Sequence, residues 1–139
     1  MSNREESLRR CIGAVVIGIS VGVFALPAAA DGPGDPAWVA QMLAAHNSAR
    51  ATVGAPPLTW SAKLSAYAQD WAQSSAAQGN SAHRTDNTYG ENLFWTSGTA
   101  TPGAVVAAWV SEVKDYNYAA NSCSAVCGHY TQVVWKNTT

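Results

Sequence analysis

Cys127-Gly128-His129-Tyr130-Thr131-Gln132-Val133-Val134-Trp135 is the stretch on which the reading of this chain turns. It sets a histidine, two aromatics and a valine pair in one short run, directly after a cysteine that lies four residues from Cys123. Read with a period of two, His129, Thr131, Val133 and Trp135 share one face and Tyr130, Gln132 and Val134 the other. The pattern therefore predicts a strand. Polar groups on both of its faces need partners, so the strand is expected to border a hydrogen-bonded network or a site.

Outward from that run, the N-terminus does not read as part of a fold. Arg4, Arg9 and Arg10 make a basic start, Ile12 to Leu26 is apolar or small apart from Ser20, and Ala28-Ala29-Ala30 gives an A-x-A cleavage pattern before Asp31. The apolar run is shorter than the about 20 residues that span a bilayer, so residues 1–30 are expected to be a signal peptide rather than a retained anchor. Cys11 leaves with it, and no transmembrane segment follows. The expected product is exported, to the extracellular space or to a periplasm or cell envelope.

Residues 31–139 carry five basic and seven acidic side chains, a formal charge of −2 without any basic run. That excludes an electrostatic footprint for nucleic acid. Cys123 and Cys127 remain, and in an oxidising compartment a disulfide between them is the default expectation. So short a loop contributes about 2 kcal/mol on the chain-entropy account, and its role would be to shape the turn before His129. A metal-thiolate pair is the alternative, but no second cysteine pair or histidine pair completes a four-ligand cage.

Residues 31–36 read as a Gly/Pro linker and 37–139 as one domain. Asp35 is placed to cap a helix with Pro36 at its first position, and Val39, Met42, Leu43, His46, Ala49, Arg50 and Val53 follow at helical spacing up to Gly54. Ser61 caps a second helix carrying Leu64, Tyr67, Ala68, Trp71, Ala72 and Ser75, which ends near Gly79. Asn80 to Tyr89 is polar and aperiodic. Gly90-Glu91-Asn92-Leu93-Phe94-Trp95 turns apolar after its start, and Thr101-Pro102 opens a third helix with Val105, Trp109, Glu112 and Val113 on one side. Three helices with little strand predict an α+β domain, layered α-β-α.

Glu91 and Glu112 are the only glutamates after the leader. Glu112 shares its stripe with Trp109, where a carboxylate is costly to desolvate unless paired. From these residues both glutamates read first as structural acceptors for loop amides, with membership of a site as the alternative. His46 reads as a hydrogen-bonded core histidine, His83 lies in a polar loop, and His129 opens the last run. Spacing joins none of them: there is no H-E-x-x-H, no G-x-S-x-G and no P-loop.

The residues do resemble a family, the CAP superfamily of cysteine-rich secretory, antigen 5 and pathogenesis-related 1 proteins (SCP domain). Four segments carry the likeness in the family's order: His46-Asn47-Ser48-Ala49-Arg50 with Pro57-Leu58-Thr59-Trp60, then Gly90-Glu91-Asn92-Leu93, then Trp109-Val110-Ser111-Glu112, then Gly128 to Trp135. The likeness runs from about Trp38 to the end. Tyr116-Asn117-Tyr118 and the Cys-x-x-x-Cys spacing are most similar to pathogenesis-related and bacterial members. The resemblance implies a three-layer α-β-α sandwich with a central cleft, whose tetrad of two histidines and two glutamates falls on His83, Glu91, Glu112 and His129. It implies candidate zinc (Zn2+) ligation by His83 and His129, with sterol, fatty acid or a protein partner at the cell surface as further candidate ligands.

No enzymatic activity follows from the resemblance. Its leading implication is a secreted binding protein. A zinc-assisted hydrolase with Glu91 or Glu112 as general base, or an inert envelope protein, are the alternatives. Family domains continue past the Trp135 segment into further strands, so the chain reads as C-terminally incomplete, with an exposed sheet edge and reduced stability expected. Asn137-Thr138-Thr139 has the form of an N-glycosylation acceptor.

Overall fold

Local capping chemistry sets the helices of the computed structural model, which describes residues 15–19, 32–86 and 88–138. The carboxylate of Asp35 accepts the amide hydrogen of Ala37 at 2.9 Å, and Pro36 presets the first turn of helix α1, Pro36–Thr52. Ser61 Oγ accepts from the amide of Leu64 at 3.3 Å to start α2, Ala62–Gln78, and Gly79 ends it at φ +63°. Thr101 Oγ1 accepts from Ala104 at 3.2 Å and opens α3, Pro102–Val110. The first two helices match the sequence expectation, and the third opens where expected.

The strands are short. β1, Val15–Ile19, pairs in parallel with β2, Asn92–Thr96, while β3, Tyr116–Asn117, and β4, Ser122–Cys123, form an antiparallel hairpin. β1 falls inside the segment expected to be a signal peptide; the rest of that segment, its cleavage pattern included, lies outside the described residues. Trp38 and Met42 of α1, Val105, Val106 and Trp109 of α3, and Val133 form the buried core, with Phe94 of β2 packed against it. Each such side chain, fully withdrawn from water, contributes about 1.5–3 kcal/mol. The two-stranded sheet thus lies between this helical group and α2, against which β1 packs. The mixed α+β, α-β-α arrangement is as expected.

Two expectations are corrected. Gly128–Val133 is not a strand but a helix, α4. Its ends are held by charges far away in sequence. Glu112 accepts from the amides of His129 and Tyr130, and Arg50 donates to the carbonyls of Val133 and Trp135 at 3.0 and 2.8 Å. These tertiary caps override the period-two pattern. Second, the third helix tightens after Val110 into a 3-10 turn, Ser111–Asp115. The change from 3.6 to 3.0 residues per turn rotates Val113 outward, where it is 46 % exposed, and keeps Glu112 inward.

Candidate functional site

The 3-10 turn delivers Glu112 to the start of α4. One carboxylate oxygen accepts from the backbone amides of His129 at 2.9 Å and Tyr130 at 3.3 Å, and the other meets Nδ1 of His129 at 2.6 Å. Three donors therefore converge on one partly buried carboxylate, which offsets its desolvation. The His129 ring stacks on Trp109 with centroids 6.3 Å apart and planes 21° from parallel. Trp109 is itself fixed by donation from Nε1 to the carbonyl of Leu93 at 3.1 Å. His129 is held from three sides.

The second pair comes from the loop between α2 and β2. Glu91, its side chain only 9 % exposed, accepts from the amide of Arg84 at 3.1 Å and meets Nδ1 of His83 at 2.8 Å, while His83 is 62 % exposed. The loop owes its position to Arg84, whose guanidinium lies 3.9 Å from the Tyr67 ring centroid, donates to the Tyr67 carbonyl at 2.9 Å and bridges Asp70 at 2.9 Å and Asp86 at 3.2 Å. Trp71 Nε1 adds a donation to the carbonyl of Ala82 at 3.0 Å. Removal from water and the hydrogen bond to Asp86 raise the Tyr67 phenol; the same bond holds the Asp86 carboxyl below its ordinary value. What the sequence shows as an aperiodic stretch is a loop clamped to α2.

Thus the four residues form two His–Glu pairs. Asn92, next to Glu91, ties them together by donating from Nδ2 to the carbonyl of His129 at 3.0 Å. Among the described residues no group of three or more His, Cys, Asp or Glu side chains is arranged to hold a metal ion. The chemistry of the pairs is nevertheless specific. A carboxylate only accepts, so each imidazole presents Nδ1–H to its glutamate and, when neutral, keeps the lone pair on Nε2. Such carboxylate-oriented histidines are the usual form of imidazole metal ligands. Zinc accepts neutral imidazole nitrogen, so His83 and His129 suit it as donors, with Glu91 and Glu112 as orienting partners. Both glutamates also serve as acceptors for backbone amides, the structural role that the sequence allowed. Cys127 forms a disulfide with Cys123 and is buried, which removes it as a nucleophile.

A separate cavity of about 100 Å³ opens between α1 and α2, walled by Trp38, Met42, His46, Trp60, Leu64 and Trp109 among others. None of the four His/Glu residues lines it. His46 hydrogen-bonds through Nδ1 to the Met42 carbonyl at 2.9 Å, as a core histidine should, and burial lowers its pKa. Sequence reasoning left Asn92, Arg84 and the platform role of Trp109 unassigned. Arg50 on an apolar helix face is itself a signal, because a guanidinium there needs acceptors. Arg50 is 0 % exposed and donates to the carbonyls of Pro56, Val133, Trp135 and Thr138 at 2.6–3.0 Å.

Comparison with known proteins identifies the family. The model of the cysteine-rich secretory protein family (CAP) matches residues 43–139. Pathogenesis-related protein 1 of Arabidopsis thaliana is 44 % identical over 119 residues, covering 85 % of this chain and 70 % of the relative. Pathogenesis-related protein 1C of Nicotiana tabacum is 50 % identical over 99 residues, covering 69 % and 58 %. Pathogenesis-related leaf protein 4 of Solanum lycopersicum is 50 % identical over 98 residues, covering 69 % and 60 %. The chain thus spans about three fifths of the length of most of these relatives.

Proposed function

The chain belongs to the cysteine-rich secretory protein (CAP) family, and from that premise we propose that it is an exported binding protein whose His/Glu cleft takes a divalent metal ion, zinc foremost. One observation carries the reading: His83 and His129 both turn Nδ1 onto a glutamate, at 2.8 and 2.6 Å, which orients Nε2 for a ligand. Export is supported by the basic start, the apolar run and the A-x-A pattern of residues 1–30. The relatives are named for pathogenesis, and a part in defence outside the cell belongs to the same proposal.

Zinc-assisted hydrolysis is the weaker form. Bound zinc would activate a water, but Glu91 and Glu112 are each engaged by backbone amide and imidazole donors. Taking a proton would disrupt those bonds. A sterol or fatty acid is supported only by the cavity, and about 100 Å³ is below the roughly 300 Å³ at which sites for larger organic ligands begin. The groove would have to widen.

Calorimetric titration with zinc near neutral pH tests the reading, with circular dichroism to establish that every variant is folded. Saturable binding is expected for the parent, with loss in His129→Ala and a roughly 10–100-fold weakening in Glu112→Gln. A folded parent that takes up no zinc, or a His129→Ala variant that binds as well as the parent, would overturn it.

A further inference from the structure

The disulfide lies, along the chain, between the two partners of the His129 pair. Glu112 sits in the 3-10 turn that ends at Asp115, β3 follows directly, and β4 ends on Cys123 opposite Tyr116. Cys127 is the residue before α4, and His129 follows two residues later. A closed path therefore runs from Glu112 through Tyr116, across the ladder to Cys123 and over the bridge to Cys127. It ends at His129, which meets Glu112 again through its amide and its Nδ1.

The bridge is the strong element of that path. β3 and β4 have two residues each, and a two-stranded hairpin is marginal by itself in water. α4 has six residues, too few for a helix to hold its own first turn. Its N-cap residue, Cys127, makes no side-chain capping bond among the described residues, so Glu112 and the bridge hold that end. Two weaker ties join the same parts: the Ser124 amide donates to the Asp115 carbonyl at 2.8 Å, and the Tyr116 and Tyr130 rings lie 5.8 Å apart. The His83–Glu91 pair stands outside the path, on the loop that Arg84 clamps to α2.

We propose that the Cys123–Cys127 bridge is a redox-sensitive clamp on one half of the cleft. Closed, it holds His129 against Glu112; opened by an external dithiol, it releases that pair and leaves His83–Glu91 in place. Cys123 is exposed and Cys127 buried, so an incoming thiolate meets Cys123 first. One sulfur of the dithiol bonds to Cys123 Sγ, the bridge breaks, and its electron pair leaves with Cys127 Sγ, which takes a proton. The second sulfur of the dithiol then displaces Cys123 as a thiol. The dithiol is thereby oxidised to its disulfide and the bridge reduced to two thiols. The clamp rests on geometry alone, whereas its consequence for metal uptake rests on the metal reading of the cleft.

Amide hydrogen exchange on the complete chain tests the clamp, with Cys11→Ser throughout so that no third thiol exchanges with the bridge. On reduction with dithiothreitol, the amides of His129 and Tyr130, which donate to Glu112, should lose protection at least tenfold. The Arg84 amide, which donates to Glu91, should keep its protection, as should Met42 of α1 and Val106 of α3. Reoxidation should restore the parent pattern, and failure to do so would overturn a reversible clamp. Unchanged protection at His129 and Tyr130 would show that the Tyr116–Tyr130 contact suffices without the bridge. Loss at Arg84, Met42 and Val106 as well would make the bridge a general staple; either result overturns the clamp. Zinc titration of Cys123→Ala/Cys127→Ala, which has no thiols there to take the metal, reads the consequence. Affinity should fall roughly tenfold against the parent, and equal affinity would overturn control of metal uptake. A folded parent that takes up no zinc would sink the metal reading, while the exchange result still decides the clamp.

Discussion

Arg50 shows how one side chain organises distant parts of the chain. Its guanidinium is fully buried and donates to four carbonyls, one in the loop after α1, one at the last residue of α4 and two in the segment beyond it. The fork shape of the group makes this division of donors feasible, and a lysine could not reproduce it. Because Arg50 caps the C-terminal end of α4, the contacts that fix the C-terminal segment also brace the helix that carries His129. Arg50→Met should therefore cost about 3 kcal/mol or more, since several buried acceptors lose their donor together, and Arg50→Lys should recover less than half of that. Urea unfolding midpoints measure it. A loss below about 0.5 kcal/mol would mean that the carbonyls find water instead.

At the scale of elements, what was legible was what is encoded locally. Asp35 with Pro36, Ser61, Gly79 and Thr101 with Pro102 mark helix ends within a few residues of the helices they bound, and all were readable. Helix α4 was not, because its caps reach it from Glu112, 17 residues before His129, and from Arg50, 83 residues before Val133. The site divides in the same way. Both His–Glu pairs arise from loop and 3-10 geometry, so spacing could not join them; family resemblance picked out the four residues but not which histidine meets which glutamate. Gly79 offers a clean test of local encoding. A Cβ there would meet nothing within 4 Å, so Gly79→Ala should lose roughly 1–2 kcal/mol from its left-handed φ alone. Gly79→Asn should lose less, because asparagine tolerates that region. Equal midpoints for the parent and Gly79→Ala would show that the α2 end frays freely.

For the molecule as a whole, acid sensitivity should trace to the core. His46 is held below its ordinary value of 6.5 chiefly by burial, with the Met42 carbonyl opposing and the Arg50 charge reinforcing the shift. The folded chain thus resists a proton that the unfolded chain accepts. Stability from this source is complete above 6.5 and is lost as pH falls through the lower, folded value. Between about pH 7 and pH 5 the urea midpoint of the parent should drop more steeply than that of His46→Gln. Parallel curves would assign the sensitivity to other groups. The disulfide hairpin has a consequence of another kind. Residues 117–126 are all exposed, yet Lys114 and Lys136 bracket a stretch without a single lysine or arginine. Trypsin therefore has no cleavage point across this exposed stretch. Complete digestion returns Asp115 to Lys136 as one internally cross-linked peptide, carrying His129 but separated from Glu112, so mass spectrometry can follow the redox state of the hairpin and any adduct on that imidazole in a single fragment.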